Sequence, residues 1–281
     1  MLYLVATPIG NLEDMTYRAI RVLQEVDLIA AEDTRNSMKL LTHFDIHTPM
    51  TAYHNNNRFD KGRELTELLR QGKNIAVITD AGMPGISDPG EDLVKMAYEA
   101  GAEVTVVPGA CACVTALTLS GLPTRRFCFE AFLPTEKKER EAVLAELTTE
   151  TRTTVIYEAP HRLAKTLTEL KDRLGDRRVG ILRELTKKHE SCFRGTLAEA
   201  AAYYTETPAK GECVIVLDGA DPEELRQEAR REWDAMTVPE HVRFYEERGL
   251  DRKEAMKAVA SDRGIGKRDV YKALLDDEKN V

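Results

Sequence analysis

Apolar residues along this chain gather into short, nearly unbroken runs separated by stretches of helical periodicity. Residues 2–6, 27–31, 50–53, 74–79 and 103–107 are the first such runs, rich in aliphatic side chains. Apolar residues follow one another there with little alternation, the pattern of parallel strands covered on both faces. Between them, residues 17–25, 34–44, 60–71 and 91–100 repeat apolar positions at helical spacing, and Gly101 stops the last stretch. Alternating strand and helix predicts a doubly wound α/β sheet.

Residues 120–126, Ser-Gly-Leu-Pro-Thr-Arg-Arg, combine Gly, Pro and charge and read as a linker. The α/β pattern then resumes. Strands are predicted at 126–132, 153–157, 178–183 and 212–217, with helices at 136–147, 161–174 and 197–204. Gly219-Ala220-Asp221-Pro222 marks a second boundary, and the remainder is helical and charged. Asp251 followed by Glu254 has the form of a helix N-cap with a capping box. Gly264-Ile265-Gly266 interrupts that helix before another at 267–275. The expected organisation is an N-terminal α/β domain over 1–119, a C-terminal α/β domain over 120–219 and a small helical extension over 220–281.

Composition narrows the class without identifying it. Hydrophobic residues make up 42% and charged residues 31%, ordinary for a globular protein. No run approaches the roughly 18 apolar residues of a membrane span. The opening Met1-Leu2-Tyr3-Leu4-Val5 has no basic leader, so no membrane association and a cytoplasmic location are expected. Cys111, Cys113, Cys128, Cys192 and Cys213 contain no C-x-x-C pair and read as small buried hydrophobes. His43 and His47 lie four apart, but no acidic or cysteine partner recurs nearby, and no metal is expected. The formal net charge of −8 argues against a broad nucleic-acid-coating surface. It leaves room for local basic patches. Residues 252–272 hold seven Lys or Arg against three Asp or Glu, net +4, on a helix–turn–helix outline. A solvated helical cap and an RNA-facing element both fit that outline. Arg125-Arg126, Lys137-Lys138-Arg140, Arg177-Arg178 and Lys187-Lys188 are further candidates for phosphate contacts, each by itself also readable as a solvated face.

The most specific segment is Thr79-Asp80-Ala81-Gly82-Met83-Pro84-Gly85-Ile86-Ser87-Asp88-Pro89-Gly90, directly after a predicted strand. Three glycines and two prolines fix a loop path where open α/β sheets bind ligands, at the carboxyl end of a strand. Asp80 there can accept hydrogen bonds from a ligand. Val5-Ala6-Thr7-Pro8-Ile9-Gly10-Asn11 and Val107-Pro108-Gly109-Ala110-Cys111-Ala112 leave two more strands with small residues that admit an adenosine-like group. Neither the G-x-G-x-x-G dinucleotide fingerprint nor a phosphate-binding P-loop is present. Glu32, Asp33 and Arg35 leave the second strand together, either as cleft residues or as acids satisfying helix amides. Glu184 with Lys187 is a second mixed-charge candidate, or a salt bridge. His54 and the three asparagines after it read as a plain loop.

Ala31-Glu32-Asp33-Thr34-Arg35, the 80–90 loop, Pro108-Gly109 and Gly121-Leu122-Pro123 together resemble the tetrapyrrole-methylase superfamily. Phe129-Glu130-Ala131-Phe132-Leu133-Pro134, Tyr157-Glu158-Ala159-Pro160-His161-Arg162 and Arg183-Glu184-Leu185-Thr186-Lys187 narrow the resemblance. They are similar to the branch that methylates the ribose 2′-oxygen of a cytidine in the decoding region of 16S rRNA. The resemblance implies S-adenosylmethionine as methyl donor, held in a cleft between two α/β domains, and a homodimer acting on 16S rRNA within the small ribosomal subunit. It implies donor contacts at Pro8, Asp80, Gly82, Met83, Ala110, Cys111, Tyr157, Gly211 and Glu212. Candidate catalytic residues are Glu32, Asp33, Arg35, Glu184 and Lys187. Ala6, Met83 and Ala110-Cys111 stand where the superfamily more often carries Gly, Thr and Pro-Ser. A methyltransferase of a tetrapyrrole or other small substrate, and a non-enzymatic ribosome-binding protein, are the competing readings.

Overall fold

The computed structural model describes residues 1–278. These form two compact units: residues 1–148 with 152–219, and residues 149–151 with those from 220 onward.

The larger unit holds two five-stranded sheets. The first contains β1 (Leu2–Val5), β2 (Leu28–Ala31), β3 (Met50–Ala52), β4 (Ile75–Ile78) and β5 (Val104–Val107), in the order β3-β2-β4-β1-β5. Every pairing is parallel, in register Leu2↔Ile75, Leu2↔Val104, Leu28↔Ile75 and Ile29↔Met50 at the strand starts. The unbroken apolar runs of β1, β2 and β4 have a direct cause here, because both their faces are covered, whereas the edge strand β5 leaves Thr105 and Val106 exposed. Side chains alternate across a strand. Ala76 and Ile78 meet Val22 and Leu23 of α1 (Tyr17–Glu25) and Leu41 of α2 (Thr34–His43). Ile75 and Val77 meet Leu65 and Leu69 of α3 (Arg58–Arg70) and Leu93 and Ala97 of α4 (Gly90–Glu99).

The helix α5 (Ala112–Ser120) follows β5, and its apolar side chains belong to the other sheet. Cys113, Ala116 and Leu117 pack with Val155, Leu182, Val214 and Val216. That sheet contains β6 (Phe127–Phe132), β7 (Thr153–Glu158), β8 (Arg178–Arg183), β9 (Ser191–Thr196) and β10 (Cys213–Leu217), in the order β6-β7-β10-β8-β9. Only β6 and β7 are parallel; β10 runs antiparallel to both neighbours, and β9 antiparallel to β8. Its far face is covered by α6 (Lys137–Thr149), α7 (Leu163–Leu174) and α8 (Leu197–Glu206) around Ile156, Ile181 and Ile215. β9 was absent from the sequence reading. It is an edge strand, largely exposed, with no apolar run to announce it. Residues 120–126 begin with the end of α5, and Thr153 Oγ1 donates to the Pro123 carbonyl, so this stretch is pinned to the second sheet.

The smaller unit carries α9 (Pro222–Asp234), α10 (Val238–Glu246), α11 (Arg252–Arg263) and α12 (Lys267–Glu278). The Asp251 cap and its reciprocal Glu254 bond are both present, and Gly264 ends α11 in the left-handed conformation. Val242, Ala255, Val259, Val270 and Leu274 form a core for α10, α11 and α12. No helix among the described residues is long and apolar enough to cross a membrane.

Candidate functional site

The carboxyl ends of β1, β2 and β4 face the exits of β7, β8 and the entry of β10 across a cavity of about 460 Å³. This is within the ordinary range for a small-molecule site. Ile9, Met83, Ile86, Ala112, Phe132, Leu185 and Val214 supply apolar walls. Glu32, Asp80, Asp88, Glu158 and Glu212 are the charged residues of the lining, the Glu158 side chain fully buried against Arg162, and no Lys, Arg or His lines this cavity among the described residues.

The 79–90 loop is held from two sides. Thr7 and Gly82 exchange backbone hydrogen bonds (2.9 and 3.1 Å), which ties the loop to the exit of β1. Asp88 Oδ1 accepts from the Gly85 and Gly90 amides, and Oδ2 from the Ile86 amide. Ser87 holds φ +67°, a conformation costly for a residue with a side chain. Such a built turn at a strand end is the usual setting of a site. From the opposite wall, the Cys113 amide donates to the Tyr157 hydroxyl at 3.0 Å. Phe129 and Phe132 meet the Tyr157 ring edge-on. Burial pushes the Tyr157 phenol well above its ordinary value. Glu158, buried and directly after Tyr157, accepts from the Ala159 amide, Arg162 Nε and Thr166 Oγ1, fixing the chain where it turns into α7.

Glu32 is the perturbed acid of the cavity. Burial raises its pKa, and the Asp80 and Asp88 charges add to that, against a hydrogen bond from the Asp80 amide. Asp80 itself accepts from Asn36 Nδ2 at 3.3 Å. Asp33 and Arg35 behave differently. Asp33 caps α2, accepting from the Arg35 amide, and its carboxylate also takes the Arg35 guanidinium. That bonding lowers its pKa to about 2.

Glu184 and Lys187 serve the 211–212 turn. Glu184 sits at φ +50° and Thr186 at +64°. The Glu184 carboxylate accepts from the Glu212 amide (2.9 Å) and from Lys187 Nζ (3.0 Å). Lys187 Nζ also donates to Glu212 Oε2 at 2.8 Å. The Glu212 amide is the main cause holding Glu184 below its usual range. Burial disfavours the Lys187 ammonium, yet its bonds to Glu212 and Glu184 raise its pKa. Gly10 lies so close that a Cβ there would stand 2.9 Å from the Leu185 carbonyl oxygen.

A second hollow, about 540 Å³ and more open, adjoins the first. The two share Ile9, Thr79, Asp80, Ala81 and Glu212. The second adds Pro8, Lys187 and residues of α2.

Of the candidates drawn from sequence, Glu32, Asp80, Gly82, Met83, Cys111, Tyr157, Gly211 and Glu212 therefore line the first cavity, and Pro8 and Lys187 the second. Asp33, Arg35, Glu184 and Ala110 line neither; Ala110 packs in the apolar cluster beside α5, and its carbonyl lies against Gly82. Sequence reasoning missed Ile9, Asp88, Phe132, Glu158 and Leu185. All five lie in the segments it quoted, but nothing in residue type separates a lining side chain from its neighbours. Cys113 and Cys213 are buried, with thiols pushed up to about 11 by burial. Cys192 is exposed. No cluster of His, Cys, Asp and Glu suited to a metal occurs among the described residues.

A family model described as Tetrapyrrole (Corrin/Porphyrin) Methylases matches residues 1–201. The chain belongs to this methylase family. A curated protein of Halalkalibacterium halodurans named ribosomal RNA small subunit methyltransferase I is 49% identical over 274 residues, covering 96% of this chain and 93% of its own. One of Synechocystis with the same name is 48% identical over 277 residues, covering 98% of each. Among solved structures, the uroporphyrin-III C-methyltransferase of Thermus thermophilus complexed with S-adenyl homocysteine superposes with TM-score 0.54 at 19% identity, covering 77% of this chain and 91% of its own. At that identity the likeness concerns the fold.

Proposed function

We propose that this chain transfers the methyl group of S-adenosylmethionine to the ribose 2′-oxygen of a cytidine in the decoding region of 16S rRNA. The single observation carrying the reading is near-full-length identity of 48–49% to proteins named ribosomal RNA small subunit methyltransferase I. The cavity supports the donor. Its charged lining is entirely acidic among the described residues, which favours a cationic ligand over a phosphate-bearing one. S-adenosylmethionine, a sulfonium with an ammonium, a carboxylate and an adenosine, fits that chemistry. When bound, it supplies an electrophilic methyl group.

Asp80 and Glu212 accept hydrogen bonds from donor hydroxyl or ammonium groups on this reading, while Ile9, Met83, Leu185 and Val214 enclose apolar surface. Glu32 takes the proton of the acceptor hydroxyl. It alone of the five catalytic candidates lines the first cavity, and its raised pKa makes it a stronger base. Rigid walls matter as much, because holding two reactants aligned supplies much of such a rate. Glu184 and Lys187 act as positioning residues through the 211–212 turn. The exposed apolar side chains of Val106 on the edge strand β5, and of Val114 and Leu119 on α5, fit cover by a second copy in a homodimer. A cytoplasmic enzyme acting on the small ribosomal subunit completes the proposal.

Calorimetry with S-adenosylmethionine, followed by methyl transfer to purified small subunits and to a porphyrinogen, tests it. Binding of the donor and a new 2′-O-methylcytidine on 16S rRNA are expected. Transfer to the porphyrinogen alone would assign a small substrate, and no donor binding would make the chain a ribosome-binding protein.

A further inference from the structure

We propose that the second hollow is a docking site for the sugar–phosphate backbone of the acceptor RNA strand, contacted by Ser37, Lys39 and His43. This rests on the reading of the chain as an rRNA methyltransferase.

The helix α2 turns one stripe toward the hollow: Asn36, Lys39, Leu40 and His43, spaced i, i+3, i+4 and i+7. Ser37 lines it too. Its residue is 4% exposed, and Oγ is buried with no hydrogen-bond partner. A helical serine usually returns its hydroxyl to the carbonyl four residues back. Here it does not, and an orphaned buried hydroxyl costs stability. A ligand oxygen accepting from Ser37 removes that cost.

The surrounding groups select the ligand. Asn36 is bonded to Asp80, and Lys187 is held between Glu184 and Glu212, so both are already committed. Lys39 has no ion-pair partner among the described residues, and His43 only an edge-on contact with Phe44. The uncommitted donors are thus a hydroxyl, an ammonium and an imidazole, all on α2, while the Asp80 and Glu212 carboxylates stand on the wall shared with the first cavity. An anionic ligand rich in acceptor oxygens matches those donors, and a phosphodiester backbone is such a ligand. The shared wall sets this hollow beside the acidic cavity, so a nucleotide anchored here presents its ribose at the boundary between the two.

The test compares wild type, Ser37→Ala and Lys39→Glu on unmethylated purified small subunits, with S-adenosylmethionine calorimetry on each protein. Donor affinity is expected to stay unchanged. Lys39→Glu is expected to weaken subunit binding about tenfold and to lower the slope of log Kd against log salt by about 1. Ser37→Ala is expected to weaken subunit binding without lowering Tm, because a residue with only a structural role loses nothing when an unpartnered hydroxyl goes. If wild type methylates subunits and both variants match it in Kd and salt slope, the docking site is overturned and the enzymatic reading stands. A wild type that neither binds nor methylates subunits overturns both.

Discussion

Replacing Gly211 with alanine strikes the turn on which both hollows depend. Gly211 holds φ +77°, and a Cβ added there lands on the Glu184 side chain, 2.7 Å from Cγ and closer still to the carboxyl group. Left-handed backbone costs an L-residue roughly 1–2 kcal/mol. Glu184 must also swing away, losing its bonds to the Glu212 amide and Lys187 Nζ. Lys187 keeps 31% side-chain exposure, so solvent screens part of that loss. About 1 kcal/mol for each bond is then reasonable, and the variant should cost about 3–4 kcal/mol in all. In a Glu184→Ala background the collision is gone and only the backbone cost remains, so the two changes should couple by about 2 kcal/mol. Hydrogen exchange of the β8 and β10 amides reports on this turn, and calorimetry with S-adenosylmethionine reads the cavity. Additive single and double variants, or a Gly211→Ala protein within about 0.5 kcal/mol of wild type, would refute the account.

Glu32→Gln should lower methyl transfer about 10²- to 10⁴-fold with little change in donor affinity, checked by single-turnover kinetics and calorimetry. In the wild type, a carboxylate base works only when deprotonated. Because burial raises the Glu32 pKa, the acidic limb of the pH–rate profile should lie above the ordinary glutamate value of 4.5 and vanish in the variant. Asp80→Ala should weaken S-adenosylmethionine binding about ten- to a hundredfold by calorimetry, the range for a hydrogen bond to a charged group. Normal binding would make Asp80 structural. Charge reversal at Lys267 and Arg268, at the start of α12, should weaken subunit binding and flatten its salt dependence. An unchanged slope would remove the tail from the RNA interface.

The first sheet was legible because its physics is local. Parallel strands covered on both faces must be apolar on successive residues, and residues 2–6, 27–31 and 74–79 say so without an alignment. The Asp251 capping box was equally local. The second sheet was harder. Its strands were visible, but the antiparallel placement of β10 between β7 and β8 is decided by long-range pairing. β9, half-wet at the edge, carries no run to recognise. The packing of α5 against the second sheet also escaped a reading along the chain, because membership in a core is a property of contacts rather than of sequence neighbours. Among the basic groups, Arg140 bonds Glu169, Arg177 bonds backbone carbonyls and Arg178 bonds Asp218. Read along the chain, each was a candidate for a phosphate contact or a solvated face, because sequence neighbours do not reveal such partners.

The same distinction explains the site. Glycine and proline mark where a backbone must bend, so the three strand-end loops were identifiable. Side-chain roles were not, because they turn on partners. Glu32 and Asp33 are adjacent acids leaving one strand, yet Asp33 is consumed by Arg35 while Glu32 lies in the cavity beside Asp80 and Asp88. One residue of offset decides between a helix cap and an acid that lines the cavity. The wall of Ile9, Thr79, Asp80, Ala81 and Glu212 carries this further. On one side the lining charge is purely acidic; on the other, Lys39, Lys187 and His43 join it. A methyl transfer from a sulfonium to an RNA ribose must hold a cation and a polyanion within bonding distance without letting their binding groups quench one another. Lys187, tied to Glu184 and Glu212, lines the second hollow and not the acidic cavity. Freeing it, by removing both glutamates, would put a positive charge at the edge of a cavity whose lining charge is all acidic among the described residues.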